Sequence, residues 1–132
     1  MLRKFLAAFA LSGLLIGNVF AADAPSAMGT WLTEKSDTGA SLEVEVGECG
    51  ERICGKIVKL HDSDKKELLG TNMIKNMVAN GKGYYYGGQI FAPDTKKWYK
   101  SKMVMLTNGN LKVSGCVLGF LCRSQIWTPV KK

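Results

Sequence analysis

Histidine is almost missing from this chain of 132 residues, because His61 is its only one. It stands beside Asp62 and Asp64 in the segment LHDSDKK, but the spacing of a calcium-binding loop is not met there. No local motif marks a serine or cysteine nucleophile, and the glycines of NGKGYYYGG lie among aromatic residues rather than ahead of a helix, as a phosphate-binding loop requires. We therefore interpret LHDSDKK as a solvated turn and predict a protein that is not an enzyme, with no catalytic residue, no metal site and no cofactor.

Long apolar runs are also scarce, since the chain has a single one, at residues 5–20. This run follows two cations and precedes the small residues AADA, and it is shorter than the roughly 20 apolar residues of a membrane-spanning helix. These features predict a signal peptide over residues 1–22, cleaved after Ala21 or Ala22, and a single domain over residues 23–132. No cysteine follows the cut to carry a lipid anchor. We expect a periplasmic or secreted protein without a transmembrane segment in the mature chain.

Acidic residues are outnumbered, with 11 against 18 Lys and Arg, which gives a formal net charge of +7. Loss of Arg3 and Lys4 with the signal peptide lowers this charge by two, to +5, because all 11 acids follow the cut. A positive charge favours anionic partners such as lipid headgroups, although solubility alone accounts for it equally well.

Short β-prone runs separated by Gly, Asn and Asp fill the chain from residue 29 to residue 130. In SLEVEV, apolar Leu42, Val44 and Val46 alternate with polar residues, as expected of a strand with one buried face. The pair Asn108-Gly109 is typical of a tight hairpin, so neighbouring strands should be antiparallel. We predict strands at 29–34, 41–47, 52–60, 84–92, 97–106, 110–117 and 122–130.

The segment 61–83 leaves two alternatives open. Leu69, Met73 and Met77 are four residues apart, which favours a short helix near 71–79, but an eighth strand with a loop fits the same residues. Seven or eight short antiparallel strands suffice to close a barrel, which also removes exposed sheet edges. The predicted fold class is therefore all-β, an antiparallel β-barrel.

The four cysteines favour disulfides, because their number is even and the chain is expected to be exported. Cys49 and Cys54 flank one predicted turn and Cys116 and Cys122 flank another, so the members of each pair should face each other across a hairpin. A bridge from Cys49 to Cys116 would close a longer loop and stabilise more, but it requires distant strands to be neighbours. The spacings match neither the usual zinc sites nor thiol oxidoreductases. We predict the two local pairs.

Three consecutive tyrosines mark a candidate ligand site. Alternate side chains of a strand point to opposite faces, so either Tyr85 or the pair Tyr84 and Tyr86 enters the barrel lumen. Tyrosine offers an apolar ring with a polar tip, and methionine suits adaptable pockets. We therefore take Tyr84 and Tyr86, with Met103 and Met105, as ligand-binding candidates, while core filling remains the alternative.

A second candidate surface lies in KKWYKSK, where lysines surround two aromatic residues. Lys97, Trp98 and Lys100 are candidates for a face that contacts an anionic envelope surface. The alternative is a solvated outer face on which lysine stems cover apolar surface. We expect no nucleic-acid partner, because the chain is expected to be exported.

Four segments stand out when they are considered together: GTW at 29–31, CGERICGKIVKL at 49–60, GGQIFAPDTKKWY at 87–99 and GCVLGFLCRSQIWT at 115–128. They resemble a family of small exported bacterial proteins catalogued as a domain of unknown function. The resemblance implies a lipocalin-like antiparallel β-barrel with paired cysteines. The chain is also similar to true lipocalins, in which a Gly-x-Trp on the first strand packs against an Arg near the last. This similarity implies that Gly29 and Trp31 meet Arg123, whose guanidinium would close one end of the barrel by a cation–π contact.

Two functions fit these observations. The first is an exported binding protein that holds a small apolar or amphipathic ligand in its barrel, with an acidic head met by lysines at the rim. The second is an envelope interaction module that acts through the basic aromatic face around Trp98. An open, apolar lumen would favour the first function, and a packed lumen would exclude it.

Overall fold

Eight antiparallel strands within residues 25–131 form a closed barrel, in which each strand pairs with the next and the last pairs with the first. The computed structural model describes residues 25–131, so the predicted signal peptide lies outside the described residues. The strands are β1 (Gly29–Leu32), β2 (Ser41–Cys49), β3 (Arg52–His61), β4 (Asn72–Ala79), β5 (Tyr84–Ala92), β6 (Lys97–Met105), β7 (Leu111–Val117) and β8 (Leu121–Pro129), and a 3-10 turn, Lys66–Leu68, lies between β3 and β4. The prediction of an all-β antiparallel barrel is confirmed.

Seven of the eight strands lie where the sequence predicts them, with ends that differ by at most two residues. In β2 the apolar side chains of Val44 and Val46 are buried, while Glu45 between them is exposed. This alternation places one face of the strand in the core and the other in water, as the period of two requires. The residues that alternate most clearly are thus the ones whose strand was easiest to predict.

The prediction of a short helix near 71–79 is wrong, because this segment forms strand β4. β4 pairs with both β3 and β5. Its pairing with β3 shifts register, and Asn76 has a φ of 58°. This irregularity interrupts the alternation, so that Ile74 and Met77, three residues apart, are both fully buried. A bulged strand therefore imitates the spacing of a helix face.

One end of the barrel is filled by large side chains. We call it the closed end; it carries the turns that follow β2, β4 and β6. Ala27 covers this end, because its carbonyl accepts a 2.8 Å hydrogen bond from Trp31 Nε1 and its amide donates a 2.9 Å hydrogen bond to Tyr85 Oη. Trp127 and Leu111 lie opposite each other below it and are fully buried. The segment ahead of β1 thus acts as a plug over the core.

Gly88 allows two strands to approach closely inside the barrel. A Cβ atom added to this residue would lie 2.8 Å from Met77 Sδ and would also collide with the backbone of Lys75. Real Cβ atoms do not tolerate such distances, so glycine is required where β5 lies against β4.

Within residues 25–131, no helix is long enough and apolar enough to cross a membrane.

Candidate functional site

The inward-facing residues of β7 and β8 change in character along the barrel. Leu111 pairs with Trp127 near the closed end, and the next inward pairs are Val113 with Gln125 and Gly115 with Arg123. Unlike Trp127, both Gln125 and Arg123 are exposed. The barrel is therefore filled at one end and accessible at the other, which we call the open end; it carries the loops that follow β1, β3, β5 and β7.

The lumen is hollow at the open end. A cavity of about 610 Å³, which we call the lumen cavity, extends from apolar side chains in its floor to polar groups at its rim. Ile90, Tyr99 and Val113 belong to the floor, and Arg123 and Gln125 lie nearer the opening. Its volume falls within the roughly 300–1,000 Å³ of ordinary small-molecule sites. Its other lining residues are Met73, Phe91, Ala92, Pro93, Asp94, Thr95, Gly115, Val117, Leu121 and Cys122.

A second cavity of about 600 Å³ adjoins the first. We call it the loop cavity, because the loops after β1 and β3 supply most of its wall. The two cavities share Met73, Pro93, Asp94 and Gln125, so they form one mouth. The remaining lining residues are Thr33, Glu34, Ser36, Thr38, Ala40, Leu42, Asp62, Ser63, Asp64, Lys65 and Leu68.

Acidic side chains predominate around the loop cavity, whereas the lumen cavity has one acid, Asp94, which lines both cavities, and one cation. Glu34, Asp62 and Asp64 line the loop cavity with a single lysine, whereas Arg123 lines the lumen cavity. Glu34 is held in place, because its Oε2 accepts a 2.6 Å hydrogen bond from the amide of Ile126. Among the residues that the structure describes, Arg123 forms neither an ion pair nor a hydrogen bond with another side chain. Its guanidinium is therefore available to a ligand.

His61 does not lie in a free solvated turn, which corrects the sequence interpretation. It ends β3, and its Nε2 lies 2.7 Å from Glu43 Oε2 on β2. The pair is partly exposed, with 36% and 16% of the two side chains accessible. In the described part of the chain, no group of three or more His, Cys, Asp or Glu residues is arranged to hold a metal ion.

The four residues predicted as ligand-binding candidates do not line either cavity of the mouth. Tyr84 and Tyr86 point outward, where their rings stack with centroids 6.2 Å apart, and Tyr85 is the tyrosine that enters the barrel. Met103 is fully buried, and Met105 pairs with Leu111 towards the closed end. The prediction for these residues is wrong for two reasons: Tyr84 and Tyr86 lie on the outward face of β5, whereas Met103 and Met105 lie on the inward face of β6 but in its packed part towards the closed end.

The predicted contact between Trp31 and Arg123 is also wrong. Trp31 pairs with Pro129 at one end of β8, whereas Arg123 pairs with Gly115 near the other. Six residues along a strand span about 20 Å, which exceeds the reach of an arginine side chain. Trp31 is covered by Ala27 instead, and Gly29 only begins β1.

Of the predicted interaction face, Trp98 and Lys100 lie on the outer side of β6, whereas Lys97, the first residue of the strand, lies on the same side as Tyr99. Lys97 and Lys100 are exposed, while Trp98 is partly buried. Lys75 Nζ lies 3.9 Å from the centroid of the Trp98 ring, and the Phe91 ring packs beside it at 5.3 Å. The indole is therefore engaged within the molecule, and contact of this face with a partner stays a prediction.

Both predicted disulfides are confirmed. Cys116 and Cys122 stand directly opposite each other in the β7–β8 ladder. Cys49 and Cys54 bridge β2 and β3 diagonally, because Cys49 pairs in register with Arg52, and the expectation that they face each other directly is wrong. Two disulfides are consistent with an oxidising compartment outside the cytoplasm.

Most of the lumen cavity is not predicted from the sequence. None of Ile90, Tyr99 and Gln125 is predicted as a lumen residue, and the predicted contact of Arg123 with Trp31 places Arg123 at the wrong end of the barrel. The available signal was the alternation in LCRSQIW, where every second residue back from Trp127 faces the lumen. That signal can be used only when one residue of the strand is already known to point into the barrel.

Comparisons with known proteins agree with this architecture. A family model described as an uncharacterized protein conserved in bacteria, DUF2147, matches residues 29–129. Protein HP1028 from the human pathogen Helicobacter pylori, described as belonging to the lipocalin family, is similar in structure, with a TM-score of 0.70. The two are 17% identical, and the similarity covers 83% of this chain and 86% of that one. At this identity the likeness shows a common fold alone. No curated protein matches the sequence.

Proposed function

Because the chain belongs to the bacterial family DUF2147 and has a lipocalin-like barrel, we propose that it is an exported binding protein, not an enzyme, for a small amphipathic molecule. The ligand occupies the open half of the lumen. A barrel of eight strands has room for one small ligand when its interior is not filled by side chains.

The hollow lumen is the observation that carries this proposal. The closed end is packed with side chains as large as Trp127, while the lumen cavity of about 610 Å³ is left beside it. Ile90 and Val113 offer an apolar floor to the tail of a ligand. Transfer of apolar surface from water to such a floor stabilises by about 25 cal/mol per Å².

The polar part of the ligand lies at the rim. Arg123 is the cation of the lumen cavity, and a guanidinium binds carboxylate or phosphate oxygens through two parallel hydrogen bonds. The acids Glu34, Asp62 and Asp64 line the neighbouring cavity. A negative group therefore binds on the Arg123 side, and an uncharged or cationic remainder of the head faces the loop cavity. The ligand class is an amphiphile with a carboxylate or phosphate.

A lumen-filling variant tests the site with dodecanoate as the probe. Gln125 lines both cavities, so Gln125→Trp should fill their junction and abolish binding in a calorimetric titration. Ile126→Trp is the matched control, because the side chain of Ile126 points away from the lumen and is partly exposed. Equal dodecanoate binding by the two variants would contradict the proposal.

Native mass spectrometry provides a second test, which needs no chosen probe. Protein purified without detergent should carry a bound small molecule that organic extraction releases. The Gln125→Trp variant, produced in the same way, should lack it. A ligand that persists in this variant would place binding outside the lumen cavity.

A further inference from the structure

The turn between β7 and β8 presents a group of apolar side chains to solvent. Leu118 is 81% exposed and Phe120 is 72% exposed, and Val117 and Leu121 beside them are 42% and 55% exposed. We call residues 117–121 the apolar tip. Contiguous apolar surface of this kind is uncommon on a protein unless another surface covers it.

Formation of the turn does not require these side chains. Leu118 has a φ of 56° and Gly119 a φ of 78°, a conformation in which glycine and asparagine are favoured over leucine. A polar turn residue would therefore suit the backbone better than Leu118 does. The Cys116–Cys122 disulfide joins the two strands at the base of the turn, so a covalent bond, and not burial of the tip, holds the strand ends together.

The apolar tip forms one lip of the mouth. Val117 and Leu121, at its two ends, line the lumen cavity. A surface that covers the tip therefore also faces the opening of the barrel. An apolar molecule that leaves this surface can reach the lumen without crossing much water.

Cations lie at the base of the tip. Lys100 pairs with Cys116 on the outside of the barrel and is exposed, and Arg123 follows Cys122 directly. Lys97, at the start of β6, is exposed at the same end of the barrel. This arrangement of an apolar insertion element with cations around it is complementary to a bilayer with anionic headgroups.

The acids of the mouth are concentrated on its other side. Glu34, Asp62 and Asp64 line the loop cavity, which the tip does not line, and Asp94 lines both cavities. The charge next to the tip is thus mainly positive, and the protein can approach an anionic surface with the tip first.

We propose that the apolar tip inserts into the headgroup region of an anionic phospholipid bilayer and brings the mouth of the barrel to the membrane surface. Leu118 and Phe120 enter the bilayer, and Lys100 contacts the lipid phosphates. This proposal does not rest on the lumen ligand, since the tip can bind a membrane whether the lumen is filled or empty.

Sedimentation with vesicles of phosphatidylglycerol and phosphatidylethanolamine tests the proposal. The full chain, with its disulfides formed, should bind. Mass spectrometry defines the N terminus of each sample, so that residues 1–22 are either present on all variants or absent from all. Leu118→Asp/Phe120→Asp should lower the partition coefficient by at least about tenfold. Tyr84→Asp/Tyr86→Asp is the matched control, because it removes two exposed aromatic rings near the closed end and adds the same charge. Circular dichroism establishes that each variant is folded.

The electrostatic part is tested by Lys100→Ala. One cation near an anionic surface accounts for about a fivefold change in partition, and this loss should vanish on vesicles of phosphatidylcholine alone. Phe120→Trp and Tyr86→Trp each add one tryptophan. Brominated acyl chains should quench the fluorescence added by Phe120→Trp but not that added by Tyr86→Trp.

Three results would overturn the proposal. The first is that wild-type protein, folded and with its disulfides formed, fails to sediment with anionic vesicles. The second is that the tip and control variants bind equally. The third is that light scattering detects dimers, and that Leu118→Asp/Phe120→Asp abolishes them while vesicle binding is unaffected. In that case a second copy of the chain covers the tip.

Discussion

Gly115 and Arg123 stand directly opposite each other in the β7–β8 ladder, and both line the lumen cavity. Because Gly115 has no side chain, Ile90 approaches so closely that an added Cβ would lie 3.1 Å from its Cγ2. Arg123 therefore lines the same cavity as Ile90, which supplies part of the apolar floor. The cavity thus has both properties that an amphipathic ligand requires, an apolar floor and a cation.

Removal of the Arg123 charge should weaken binding of an anionic amphiphile. We expect Arg123→Gln to lower the affinity for dodecanoate by about tenfold to a hundredfold, because a hydrogen bond to a charged group contributes about 1.5–3 kcal/mol. Binding of dodecanol should change little. Lys112→Gln, which removes an exposed cation from the outer wall, is the control, and calorimetry gives both affinities. Unchanged dodecanoate binding by Arg123→Gln would exclude this role.

A side chain at Gly88 should destabilise the barrel. An added methyl group would lie 2.8 Å from Met77 Sδ, and overpacking of this kind costs about 1–3 kcal/mol. Gly47→Ala is the matched control, since a Cβ there meets no atom within 4 Å. Urea unfolding followed by circular dichroism measures both. Similar midpoints for the two variants would show that β4 and β5 adapt without cost.

The strands could be predicted from sequence wherever one face is buried along their whole length. β2 is such a strand, with Val44 and Val46 inside and Glu45 outside. β4 was ambiguous because the bulge near Asn76 breaks the alternation. Three consecutive tyrosines gave no preference for one face, and the choice of Tyr85 as the inward residue depends on its cross-strand partner Met103. Which face a strand buries is thus decided by neighbours that are distant in sequence.

The same limit explains the wrong assignment of Arg123. Its position near the end of the chain placed it on the last strand correctly. Its distance from Trp31 depends on the register between β8 and β1, where Trp31 pairs with Pro129. No local pattern encodes that register, whereas the disulfide partners are close in sequence and could be inferred from the turns that they flank.

Each disulfide should stabilise the barrel by a similar amount. The chain-entropy model gives about 2 kcal/mol for closing a loop of six or seven residues. Cys49→Ser/Cys54→Ser and Cys116→Ser/Cys122→Ser should therefore each lower the free energy of unfolding by about 2 kcal/mol, measured in urea. Thiol titration of unreduced wild-type protein in denaturant should detect no free thiol. Four titratable thiols would contradict both bridges.

The plug over the closed end depends on the hydroxyl group of Tyr85. The amide of Ala27 donates its hydrogen bond to Tyr85 Oη, and both residues are buried. Tyr85→Phe leaves this amide without a partner, which costs about 1–3 kcal/mol. Tyr86→Phe is the control, because Tyr86 is 45% exposed and its hydroxyl can bond to water in either state. Hydrogen exchange should be faster at Ala27 in Tyr85→Phe than in Tyr86→Phe, together with a lower unfolding midpoint. If exchange at Ala27 is unchanged while the midpoint falls, the hydroxyl stabilises the core without holding the plug.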